Sequence, residues 1–141
     1  MRVPLTVNDF LDRAERVYGD RVALVDEPDQ AARPLPDLTY REVAALARAQ
    51  AAGLDAMGIG EGERVAIVSH NAARLLVALF GVSGSGRILV PVNFRLNADE
   101  VAYIIEHSGA SVLLVDPGLD DHLRAVDAPH RFVIGSDSDA V

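Results

Sequence analysis

The stretch "GVSGSGRILVPVNFRL", residues 81–96, sets three glycines and two serines ahead of an apolar run. A phosphate-cradling loop has the same look, and the two readings demand different folds. A dinucleotide or Walker loop follows a strand and opens a helix, so that the helix amides face the phosphate. Here the order is reversed. The preceding "NAARLLVALFGV", residues 71–82, is apolar on most faces through Leu75, Leu76, Val77, Leu79, Phe80 and Val82, and predicts a nearly buried helix. "ILVPV", residues 88–92, predicts a buried strand. Gly84 and Gly86 therefore close a helix and swing the chain into a sheet.

Outward from that corner the alternation repeats. "LTVNDF" (5–10), "LTYREV" (38–43) and "LNADEV" (96–101) each pair a capping residue, Thr6, Thr39 or Asn97, with an acid three positions on, Asp9, Glu42 or Glu100. The cap accepts from the backbone amide, and the acid reaches back or favours the positive helix end. Leu5 with Phe10, Leu38 with Val43 and Leu96 with Val101 occupy staple positions. Gly19, Gly58 and Gly109 follow the last periodic residues and suit a left-handed C-terminal turn. In the second helix Val43, Leu46, Ala47, Leu54 and Met57 form a stripe broken by Gln50, with Arg41 and Arg48 pointing away.

Between the helices "VALV" (22–25), "RVAIV" (64–68), "SVLLV" (111–115) and "RFVI" (131–134) join "ILVPV" as apolar runs without polar alternation, which predicts buried strands. Strands alternating with helices predict an α/β fold on a largely parallel sheet with covering helices. "DEPDQAARPLPD", residues 26–37, reads as a long surface loop.

Composition narrows the chemistry. The 141 residues are half hydrophobic, enough for one domain with its own core. There is no cysteine, hence no disulfide framework, thiolate metal site or thiol nucleophile. Every one of the thirteen basic residues is arginine, scattered singly in a chain of net charge −8, which argues against a nucleic-acid partner. Without lysine there is no Schiff-base chemistry and no Walker lysine. No apolar run approaches the ~18 residues of a membrane span, and the start "MRVPLTVNDF" lacks a leader-like apolar core, so a cytoplasmic location is expected.

Few polar residues stand where a ligand could meet them. Asp116 follows a strand, where a ribose-binding acid stands in dinucleotide folds, yet Asp116, Pro117 and Gly118 read better as a turn. His70, His107, His122 and His130 share no metal-ligand spacing and read as surface or cap residues. His70 stands out because it lies just past "VAIVS", where sheet ligands bind. Asn93 and Arg95 follow "ILVPV" and suit an anion or carbonyl contact, although a structural pairing of Arg95 with a carboxylate is favoured. The acids, including Asp120 and Asp121, lack metal-loop spacing and read as solvated. None of these residues is assigned a catalytic, cofactor-binding or metal-ligating role.

In order and spacing, "LTYRE" (38–42), "GIGEGERVAI" (58–67), the run from "LFGV" (79–82) to "ILVPVNFRL" (88–96) and "EVAYIIEHSGASVLLVD" (100–116) resemble the amino-terminal part of AMP-forming acyl-CoA synthetases, the adenylate-forming ligases. The likeness runs from about Val7 to Ile134. It implies a parent enzyme that activates a carboxylic acid with ATP to an acyl-adenylate and passes the acyl group to coenzyme A, with magnesium steadying the phosphates. It also implies that the family's phosphate loop (T-S-G-T-T-G), its later nucleotide-binding acid and arginine, and its catalytic lysine lie outside these residues. Residues 1–141 are then expected to be one partial domain that binds neither ATP, magnesium nor CoA and does not adenylate by itself. Where the family often has Pro, Lys and Pro, this chain has His70, Gly84 and Phe94, and Gly84 is expected to weaken its helical turn by about 1 kcal/mol relative to Ala. A sheet cut in mid-domain predicts self-association, as a dimer, through an exposed edge or apolar surface. Two rivals are a stand-alone non-catalytic interaction module and an independent nucleotide-binding sheet protein; the latter needs a phosphate loop after a strand, which this sequence lacks.

Overall fold

The computed structural model describes residues 5–137, so the ends of the domain expected over 1–141 lie outside the described residues. In chain order the elements are α1 Val7–Tyr18, β1 Val22–Leu24, β2 Leu38–Thr39, α2 Tyr40–Ala56, β3 Arg64–Val68, α3 Ala73–Ser83, β4 Ile88–Val92, α4 Ala98–Ser108, β5 Val112–Val115 and β6 His130–Val133. Strands β4, β3, β5 and β6 lie in that order in one parallel sheet. The α/β architecture and parallel sheet expected from the sequence are present.

Alternation within the strands builds two cores. Val65 and Ile67 of β3, with Val112 and Leu114 of β5, face Leu54 of α2 and Ala78 and Val82 of α3. Ala66, Val68, Leu113 and Val115 face the other way, onto Val101 and Ile105 of α4 and onto Leu123 and Val126 of the β5–β6 crossover. Helices thus cover both faces, which is why β3 and β5 read as unbroken apolar runs. A third cluster holds α1 to the body through Leu11, packed with Leu38, Val43, Ala44, Ala47 and Ala73.

Several expectations need correction. "VALV" is not part of the parallel sheet: β1 pairs antiparallel with β2 in a separate ribbon, and Val22 and Val25 are exposed. "ILVPV" and "RFVI" form the two sheet edges and are only partly buried, since each lacks a neighbour on one side. Leu46 is exposed, whereas Arg48 meets Glu15 of α1 in a two-pronged ion pair at 2.9 and 3.0 Å. At α1 the Asp9 carboxylate reaches back as expected, accepting the Thr6 amide and hydroxyl at 2.6 and 2.8 Å, while the Asp9 amide donates to the Thr6 backbone carbonyl at 3.2 Å. Leu5 and Phe10 lie in solvent, so the first staple does not close. Gly109 is left-handed as expected (φ 60°), but Gly19 is not (φ −44°); a Cβ there would press on Glu15 O and the Arg41 guanidinium. Gly84 also forgoes no stability relative to Ala, because a Cβ would overlap Asn8 Oδ1 and Phe80 O.

Loop 26–37 is not wholly superficial. Ala32 is buried, and Ala31 and Ala32 lie against the turns at Gly118 and Gly135 beyond β5 and β6. Asp26 at its start accepts the amides of Ala73 (2.9 Å) and Leu35 (2.9 Å), which supplies α3 with the cap its own Ala72 cannot provide.

Both sheet edges are blunted. The Ile88 amide donates to Glu63 O, so Ile88, Val90 and Val92 aim their amides at β3, and Leu89 and Pro91 face outward. Pro91 has no amide to offer a further strand. On the far side the Val133 amide is taken by Asp137 Oδ2 at 3.0 Å. Strand addition, one route to the expected self-association, is thereby discouraged.

Candidate functional site

The opening glycines hold no ligand cradle. Gly86 (φ 82°) turns the chain so that Arg87 enters the protein, where it is only 5% exposed. Its Nε and Nη2 donate to Ile59 O at 2.9 and 2.5 Å, its Nη1 donates to Ser85 Oγ at 2.8 Å, and its Nη2 pairs with Asp55. Serine and arginine of the "SGSGR" run thus rivet the end of α3 to the end of α2. On the neighbouring turn Glu63 accepts the Gly60 amide and the Ser111 hydroxyl (2.8 Å), and these donors hold its carboxyl below the usual range. Arg64 donates to Ser108 O and Gly109 O, both at 2.8 Å, and closes α4.

The polar residues singled out by sequence converge elsewhere. Chain order reverses between β3 and β5: from β3 the chain runs out to β4 through α3, then returns past β3 to β5 through α4. The crevice beyond the carboxyl ends of two such strands is where open α/β sheets bind ligands. His70 follows β3 and Asp116 follows β5, and they bridge that crevice, His70 Nδ1 to Asp116 Oδ2, at 3.1 Å. Asn93, Phe94 and Arg95 follow β4 on the adjoining side. The His70 ring lies 4.1 Å from the Phe94 ring, and the Arg95 guanidinium carbon 5.3 Å from the same centroid.

What this cluster offers is a partly open imidazole and a cation beside one aromatic ring. Asp116 is 4% exposed and already engaged: Oδ1 accepts the Gly118 amide at 2.8 Å, the turn expected from sequence, and Oδ2 faces His70. Its oxygens are therefore not free for a ribose. Asn93 Oδ1 accepts the Arg95 amide at 3.0 Å, so Asn93 shapes the turn. Arg95 makes no ion pair among the described residues, contrary to the favoured structural pairing, and instead borders Phe94. Ser69, the nearest hydroxyl in sequence, donates to the His70 carbonyl at 2.8 Å. An aspartate-oriented histidine without a nucleophile in line binds or positions; it does not make an acyl-transfer triad.

The other histidines do not join it: His107 stacks on Tyr103 at 5.5 Å on α4, and His130 opens β6 at the sheet's amino edge. Asp120 and Asp121 pair with Arg131 (2.6 Å) and Arg124. Among the described residues no group of three acids or histidines is placed to hold a metal ion. Sequence reasoning missed Phe94 as the ring joining His70 to Arg95, Asp26 as the cap of α3 and Arg87 as a buried rivet. Only Arg87, a lone cation between a glycine turn and an apolar strand, carried a local signal.

An open parallel sheet covered on both faces, with its polar cluster at the reversal of strand order, defines an open-sheet α/β domain. Residues 11–140 match the AMP-binding enzyme family, and the chain belongs to it. It is 41% identical over 122 residues to the long-chain-fatty-acid–CoA ligase of Thermus thermophilus, covering 86% of this chain and 22% of that protein. It is 34% identical over 119 residues to 4-hydroxybutyrate–CoA ligase 2 of Metallosphaera sedula, covering 84% and 20%. The crystal structure of the anthranilate CoA ligase AuaEII in complex with anthranoyl-AMP superimposes with a TM-score of 0.83 at 26% identity, over 96% of this chain and 26% of that one. The chain spans about a fifth of the length of the curated relatives it matches.

Proposed function

We propose that these residues are the amino-terminal portion of an ATP-dependent acyl-CoA synthetase, which activates a carboxylic acid as its acyl-adenylate and transfers the acyl group to CoA. The observation that supports this most is the family match over residues 11–140, seconded by CoA ligases at 34–41% identity. The portion itself supplies scaffold and no catalytic group. ATP, magnesium and CoA do not fit the residues at hand: the glycine turn precedes a strand, the chain has no lysine, and Asp116 is already committed. In this reading those ligands belong to the remainder of the enzyme, and the cytoplasmic location expected above is part of the same proposal.

The test is to incubate the 141-residue chain with ATP, magnesium, CoA and carboxylic acids of graded chain length, and to measure pyrophosphate and acyl-adenylate. None is expected above the protein-free blank, while an enzyme joining this segment to the family's phosphate loop and lysine domain is expected to form both. Adenylation by the short chain alone would refute the reading.

A further inference from the structure

We draw no further inference here: the strongest candidate, the side-chain cluster of His70, Asp116, Phe94 and Arg95 beyond the carboxyl ends of β3, β5 and β4, belongs to the site already described, and nothing in the structure shows what ligand meets it.

Discussion

Gly81 lies where α3 passes closest to α2: a Cβ there would overlap Gln50 Oε1 and stand 3.0 Å from Ala47 O and 3.1 Å from Gln50 Cβ. The glutamine that interrupts the apolar stripe of α2 is therefore the residue that lies over a glycine. Gly81→Ala gains helix propensity but forces two backbones apart, and overpacking prevails; a loss of about 1–3 kcal/mol is expected in a urea titration. An unchanged midpoint would contradict the close approach. Arg87 is the second residue whose environment is set from afar. Its guanidinium is buried while Asp55 is largely exposed, so the two halves of the pair are not equivalent. Arg87→Ala leaves Ile59 O without its donors and should destabilise the chain by about 2–4 kcal/mol. Asp55→Asn, which keeps the backbone bonds and a neutral acceptor, should cost less than half of that, and equal losses in thermal melts would show that the ion pair, not the carbonyl, governs.

At the scale of elements, the helix starts at Thr39 and Asn97 were legible because cap, acid and staple lie within six residues and act on one another directly. What lies far apart in sequence was not. Strand β1 reads like β5 in composition, and nothing local says that its partner is β2; sheet membership is a long-range property. The glycines of residues 81–86 were legible as a corner, since their order relative to helix and strand is local, but His70 and Asp116 meet across 46 positions. The cap of α3 is hidden in the same way, 47 positions upstream at Asp26. Burial raises the Asp26 carboxyl, but the amides of Ala73 and Leu35 outweigh it and hold the group below its ordinary value. Its stabilising effect is therefore complete above the unfolded value near 4 and is lost as pH falls through the lower folded value. Asp26→Asn should lower stability at neutral pH by about 1–3 kcal/mol, with the gap to wild type closing as the pH is brought down through that window. A gap that is the same at pH 3 and pH 7 would mean that the carboxylate charge is irrelevant to the cap.

For the whole molecule, β3 and β5 are the strands that give fully buried side chains to both cores. Every residue of β5 and all but the first of β3 are buried, because these strands have neighbours on both sides and helices on both faces. The α1 helix and the β1–β2 ribbon hang on a third, smaller cluster, with one buried side chain from the helix and surface ion pairs that contribute little. Stability should be distributed accordingly, as local opening follows buried apolar contact. Hydrogen exchange under native conditions is expected to leave β3 and β5 protected longest, at the level of global unfolding, while α1 amides exchange through a smaller opening. If α1 were protected as long as β3, the helix would be integral to the main core, and the picture of a peripheral helix held chiefly by Leu11 would fall.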